Sequence, residues 1–384
     1  MKLLEDRAES IERQRAQGRK VGGYFCPYVP IEIVHASNMI PLRLACGGDD
    51  SASEVGERFL GPYSCPFAKT CIGYRASEES QYHSKVDYLC VATTCDGMRS
   101  TQEYWQHYFK VPTFALWVPR TYDRFQQRAH ARMYFEKELV LLKERLEREQ
   151  GTVITDQQLR ESIRLYNSIR SEMRELYGLC RDGGYDVSWG DVFRISQTGF
   201  LLDPVYFLAE LKWIRERLGR KQDVNSTAER SDTKRRLMFY GSIMSMDDRK
   251  TIDIVEKAGG EIVADAVCTG SRLWRKDVSL SDPPIAALAE RYLLNLPCPF
   301  MMDLGMRLEY VAKVARENKV NGLIYYNLKY CGSYRAEVKT FEDALRKTVG
   351  IPVLLIETEY SPSDVGTIRT KVEAFLEMIS GAWM

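Results

Sequence analysis

The chain has no GxxxxGK[ST] phosphate loop, no GxGxxG turn after a strand, no HExxH helix and no GxSxG elbow. ATP or dinucleotide binding, and zinc-protease or serine-hydrolase chemistry, therefore have no support along those routes. An excess of one charge is also missing. The 54 basic and 53 acidic residues leave a net charge of +1, which argues for no nucleic-acid partner. No apolar run is long and charge-free enough to cross a bilayer, and the opening MKLLEDRAESIERQRAQGRK is charged where a signal peptide would be apolar. A cytoplasmic protein without membrane contact is expected. Histidine is scarce: His35, His83, His107 and His130 are the only four. His35, in PIEIVHAS, is expected on a helix packed against a sheet.

What the chain does have is length, with 384 residues of which 45% are hydrophobic and 28% charged, enough for two or three domains with substantial cores. Short apolar runs alternate with helical patterns, as in βαβ units on parallel sheets. A first group comprises VGGYFC, MIPLRLAC, VDYLCVATTC and TFALWVP; a second comprises RRLMFYGS, GEIVADAVC, NGLIYYNLKYC and IPVLLIETEY. Between them the pattern is helical, with a capping box predicted at Thr155 and Gln158. The expected organisation is an N-terminal Rossmann-like lobe over 1–120, a helical region over 121–233 and a C-terminal Rossmann-like lobe over 234–384.

The two halves echo each other. ERFLGPYSCPF (57–67) and ERYLLNLPCPF (290–300) share six of eleven residues, and both end in Cys-Pro-Phe. The second strand of each half ends in a cysteine, Cys46 or Cys268; the repeated phrase supplies Cys65 and Cys298; the third strand ends in Cys95 or Cys331. Such correspondence predicts an α/β fold of two lobes related by an internal repeat. Cys26 has no counterpart, because Gly241 occupies its place.

Ligands of open parallel sheets bind beyond the carboxyl ends of the strands, so these cysteines are expected to converge on the inter-lobe cleft. Ten cysteines in a reducing compartment are thiols or metal ligands rather than disulfides. Soft thiolates facing one cavity suit an iron–sulfur cluster. Zinc is the weaker choice, since its structural sites favour close cysteine pairs and the nearest spacings here are Cys90 to Cys95 and Cys65 to Cys71. The expected ligands are Cys46, Cys65, Cys95, Cys268, Cys298 and Cys331, with Cys26 and Cys71 in reserve and Cys90 and Cys180 as packing residues. Backbone amides after Pro30, and around Thr94, Asp96 and Gly97, are candidates to hydrogen-bond cluster sulfides, although Asp96 is equally a candidate helix cap.

GYFCPYVPIEIVHASNMIPLRL, SCPFAKTC, ATTCDG, ADAVCTGSR, NLPCPF, LKYCGSYRAE and IPVLLIETEYSPSDVGTIRTKVEAFLEM resemble, in order, the family of 2-hydroxyacyl-CoA dehydratase subunits, benzoyl-CoA reductase subunits and double-cubane cluster proteins. The resemblance implies two Rossmann-like lobes, oxygen-sensitive iron–sulfur chemistry, a dimer, and an ATP-hydrolysing iron–sulfur activator that delivers low-potential electrons. In the dehydratases one [4Fe-4S] cluster sits on three cysteines, matched here by Cys65, Cys95 and Cys331. Double-cubane proteins need about six thiolates for their [8Fe-9S] cluster, which the further Cys46, Cys268 and Cys298 supply. The expected function is thus an iron–sulfur oxidoreductase component acting on a small molecule, most like a double-cubane protein and homodimeric. The alternative is a [4Fe-4S] subunit acting on acyl-CoA thioesters by radical chemistry. A third reading is an electron-storing protein without substrate turnover.

Overall fold

Eight apolar, β-rich runs become eight short strands, buried along most of their length as parallel strands covered by helices must be. The structure is a computed structural model and describes residues 2–45, 47–78, 80–120, 125–182, 184–220 and 235–381. Strands β1 (Val21–Tyr24), β2 (Ile40–Arg43), β3 (Tyr88–Ala92) and β4 (Thr113–Leu116) form one sheet in the order β2-β1-β3-β4. Strands β5 (Arg235–Gly241), β6 (Gly260–Ala266), β7 (Gly322–Leu328) and β8 (Val353–Thr358) form a second in the order β6-β5-β7-β8. Every pairing is parallel, and the two orders are the same. The fold is α/β with two Rossmann-like lobes.

Helices α1 (Lys2–Ala16), α2 (Ile31–Ala36), α3 (Asp50–Leu60), α4 (Pro66–Ala76) and α5 (Asp96–His107) accompany the first sheet. Four follow in succession: α6 (Phe125–Gln150), α7 (Asp156–Asp182), α8 (Trp189–Thr198) and α9 (Pro204–Arg217). Helices α10 (Lys250–Lys257), α11 (Ser271–Trp274), α12 (Pro284–Leu294), α13 (Leu304–Glu317), α14 (Gly332–Val349) and α15 (Val365–Ile379) accompany the second sheet. The capping box at the start of α7 forms as its sequence predicts: the Gln158 amide donates to Thr155 Oγ1 at 3.2 Å and the Thr155 amide to Gln158 Oε1 at 2.9 Å. Among the described residues no helix is long and apolar enough to cross a membrane.

One core draws on both sheets, with Leu42, Leu89, Phe239 and Ile324 in the same cluster, so the lobes pack directly on each other. A second joins α2, α6 and α12 through Ile33, Phe135, Leu139 and Leu288. His35 faces α7 rather than the sheet: its Nδ1 lies 3.0 Å from Ser162 Oγ and its ring meets Tyr166 edge-on.

The two copies of the repeated phrase occupy comparable places, closing α3 and α12 and then presenting a cysteine. They differ in what their shared aromatic position does. Phe59 packs against Tyr104, Tyr108 and Phe109, whereas Tyr292 is buried and its hydroxyl donates to Glu32 Oε2 at 2.7 Å. Helices α3 and α4 cross so closely that a Cβ on Gly56 would lie 1.9 Å from the Lys69 carbonyl oxygen, and one on Gly73 would lie 1.8 Å from that of Ala52. Glycine permits this contact and thereby seats α4, whose N-cap is Cys65.

Candidate metal centre

Loops of both lobes line a cavity of about 100 Å3 that is partly open to solvent. Its wall carries Cys26, Cys65, Cys95, Cys268, Cys298 and Cys331 among apolar groups such as Phe25, Phe67, Met98, Ile243 and Leu296. Residues 26, 65 and 95 come from the first lobe and 268, 298 and 331 from the second.

Local structure aims these sulfurs. Cys65, Cys95 and Cys331 are the N-cap residues of α4, α5 and α14. Their sulfurs therefore sit beside a first helical turn, close to the amides of Phe67 and Ala68 for Cys65, Met98 for Cys95, and Tyr334 for Cys331, without a side-chain capping hydrogen bond. Pro66 at the first position of α4 fits, since proline lacks an N–H that would have no helical partner there. Cys26 accepts at 3.6 Å from the Thr94 hydroxyl.

The thiols lie within electrostatic reach of one another across the lobes: Cys331 of Cys65, Cys95 and Cys298, Cys95 also of Cys26, and Cys26 of Cys268 and Cys298, so all six share one space. Burial pushes the Cys26 thiol up to about 12 and raises those of Cys65, Cys95, Cys298 and Cys331 above the ordinary thiol value. The amides pull the other way, yet desolvation wins, so these thiols stay neutral until a cation supplies the missing charge. Among the described residues no three His, Cys, Asp or Glu side chains converge closely enough to hold a single metal ion. The sulfurs stand spread around the wall instead.

Cys65, Cys95, Cys268, Cys298 and Cys331 thus all reach the cavity that their sequence positions predict, together with Cys26. Cys46 lies outside the described residues. Cys71 is buried in the core of α4, Cys90 within β3, and Cys180 lies on α7 away from the cavity. Two amide expectations need correction. The cavity is lined by Cys26, Pro27 and Tyr28 but by none of α2, because the chain turns away from the wall after Tyr28; the helix after Pro30 supplies no donor there. Asp96 is the first residue of α5 and not its cap, a place that Cys95 takes. None of the four histidines lines the cavity.

The lack of a cysteine opposite Cys26 has a steric reason. Gly241 has φ +148°, and a Cβ there would lie 1.8 Å from the Tyr326 carbonyl oxygen, so no side chain fits at the end of β5. Sequence reasoning missed two wall residues, Arg43 and Arg272. A signal for Arg43 existed: it is the one charge in the apolar strand MIPLRLAC.

Residues 26–379 match the family described as 2-hydroxyglutaryl-CoA dehydratase, D-component. Over 366 residues the chain is 27% identical to YjiM of Escherichia coli (strain K12), which bears the name of a putative dehydratase subunit; the match spans 95% of this chain and 93% of that one. It is 26% identical over 384 residues to one of the subunits of benzoyl-CoA reductase from Thauera aromatica, spanning 98% and 96%. Identity to the beta subunit of (R)-2-hydroxyglutaryl-CoA dehydratase of Acidaminococcus fermentans is 22% over 378 residues, spanning 96% and 95%. Full-length agreement with dehydratase and reductase subunits matches the motifs that surround the cavity cysteines, and the chain belongs to the 2-hydroxyglutaryl-CoA dehydratase D-component family.

Proposed function

We propose that this protein is an iron–sulfur reductase component whose cavity holds a double-cubane [8Fe-9S] cluster on Cys26, Cys65, Cys95, Cys268, Cys298 and Cys331. The observation that carries the reading is the presence of six thiols, three from each lobe, on the wall of a single cavity. A polynuclear cluster asks for thiolates spread around its surface, one to an iron, and not for side chains converging on a point. Cys26 is proposed because it stands on the same wall as Cys268 and Cys298; Cys46, expected in that role from the sequence, lies outside the described residues. When bound, such a cluster supplies low-potential electrons, received from an ATP-hydrolysing activator, for reduction of a small molecule.

The residues of the chain would bind and shield it. Six thiols supply soft ligands, and three of them, Cys65, Cys95 and Cys331, stand at the N-termini of helices, where first-turn amides lie close by. The apolar wall excludes water and so governs the potential. A homodimer working in the cytoplasm completes the reading. A second reading is favoured by the names of the relatives, several of which are subunits of enzymes acting on CoA thioesters. In it, Cys65, Cys95 and Cys331 alone hold a [4Fe-4S] cluster, and the enzyme is completed by a second chain of different sequence.

The test is iron and acid-labile sulfide per chain on anaerobically purified protein, with the mass of the intact assembly. About eight irons and nine sulfides in a homodimer support the double cubane, and about four of each support the second reading. Iron near zero in protein never exposed to air overturns both.

A further inference from the structure

The cavity wall carries two buried cations for which the described residues supply no carboxylate. Arg43, 1% exposed at the end of β2, donates from Nε to the Phe25 carbonyl at 3.1 Å and from Nη1 to the Cys268 carbonyl at 2.9 Å. Its guanidinium lies over the Phe200 ring, 4.5 Å from the centroid, and its buried Nη2 has no hydrogen-bond partner. Arg272, 3% exposed, donates from Nη1 to the Pro297 carbonyl at 2.6 Å and to the Tyr334 hydroxyl at 2.9 Å. Of the other buried arginines, Arg170 pairs with Glu32 and Arg307 with Glu337, while Arg7 and Arg291 are held by backbone carbonyls away from the cavity. A guanidinium in a dry site with only neutral partners is costly, and what sets Arg43 and Arg272 apart from Arg7 and Arg291 is that they line the cavity, where a bound anion would offset that cost.

Both arginines stand by cysteines of the second lobe. Arg43 is bonded to the backbone of Cys268, and Arg272 is within electrostatic reach of the Cys268 and Cys298 side chains. On the other side, Lys69, within electrostatic reach of Cys65, is already paired with Glu57 at 2.8 Å. The two halves of the cavity are therefore electrostatically unequal.

We propose that Arg43 and Arg272 are the fixed counter-charges of the anionic group bound by Cys26, Cys268 and Cys298, and that they hold this half at a higher reduction potential than the half on Cys65, Cys95 and Cys331. The proposal rests on reading the cavity as a double-cubane site. Reduction adds negative charge, a nearby fixed positive charge stabilises the reduced form, and the low dielectric of a buried site strengthens the effect. The free Nη2–H of Arg43 adds a donor for a sulfide on that side. Both arginines are positioning residues acting through the bound group.

The experiment is a stepwise anaerobic titration with dithionite, followed by electron paramagnetic resonance, on wild type, Arg43→Gln, Arg272→Gln and Arg43→Lys, with iron counted in each. Each Gln variant that keeps its iron is expected to lower one midpoint so that the ratio of reduced to oxidised form at a fixed potential falls about tenfold, equal to about 59 mV for one electron. Arg43→Lys, which keeps the charge, is expected to shift less. Unshifted midpoints in iron-replete Gln variants overturn the proposal. Should Arg43→Gln lose its iron, Arg43→Lys decides: retained iron with a near-native midpoint supports a charge role, and lost iron assigns Arg43 to architecture and overturns it. Wild type with no iron, or with a single cubane, overturns the underlying reading before any variant is compared.

Discussion

Arg170→Met is expected to destabilise the protein more than any change at an exposed ion pair. Arg170 on α7 and Glu32 on α2 form an ion pair with side-chain exposures of 3% and 0%. Tyr292 on α12 completes it, donating to Glu32 Oε2 at 2.7 Å, while Arg170 also reaches Asn167 Oδ1 at 2.8 Å. The cluster thus joins a helix of each lobe to the helical region. Removing one partner of a buried pair strands the other charge, at a cost of about 3–5 kcal/mol. With a slope of about 3 kcal/mol per M in urea, the unfolding midpoint should fall by roughly 1–1.7 M.

The pH dependence supplies a second check. Burial opposes the charge on Glu32, but the Arg170 and Arg291 guanidiniums prevail and hold its carboxyl below the usual 4.5. A depressed carboxyl stabilises the fold above its unfolded value and loses that contribution as pH falls through the folded value. The gap between wild type and Arg170→Met should therefore be full near neutrality and narrow on acidification below 4.5. Urea titrations at several pH values measure both. A midpoint shift under about 0.3 M at neutral pH would refute the reasoning, since it corresponds to about the median of a surface pair.

Cys26→Ala should lower iron per chain by about half if Cys26 holds part of a second cubane, with full iron retained if Cys26 is a packing residue. Gly73→Ala drives a Cβ into the Ala52 carbonyl and should cost about 1–3 kcal/mol or more, and the same variant should bind less iron because α4 is capped by Cys65; unchanged unfolding would refute the close-contact argument. His83 is buried, with Nδ1 2.6 Å from Ser80 Oγ, and burial lowers it from 6.5 to about 3. Its contribution is present above 6.5 and lost as pH falls toward 3, at about 1.4 kcal/mol per pH unit, so His83→Gln should flatten the stability profile between those values.

Several features were legible in the residues themselves. Continuous apolar runs marked strands buried on both faces, and β1 to β3 and β5 to β7 are largely covered while β4 and β8 at the sheet edges are only half so. The duplicated phrase marked two lobes of one topology and singled out Cys65, and strand-to-helix junctions marked Cys95 and Cys331 as groups aimed past the sheet edge. These are local signals, set by periodicity and by which residue begins a helix.

Other features depended on distant packing. Whether Cys26 or Cys71 faces the cavity is decided by which way each element turns after its strand, and α4 turns Cys71 into the core. The difference between Phe59 and Tyr292 gains meaning only when Glu32, 260 residues before Tyr292, is brought against that hydroxyl. Arg272 carries no signal in the sequence and Arg43 only that of a lone charge in an apolar strand; the folded wall shows both dry and, among the described residues, without a carboxylate. The sequence by itself determined the elements, the repeat and the candidate thiols, because these follow from spacing along one chain. The tertiary structure decided which thiols share the cavity and which charges stand beside them, because burial and electrostatics depend on what the other lobe brings near.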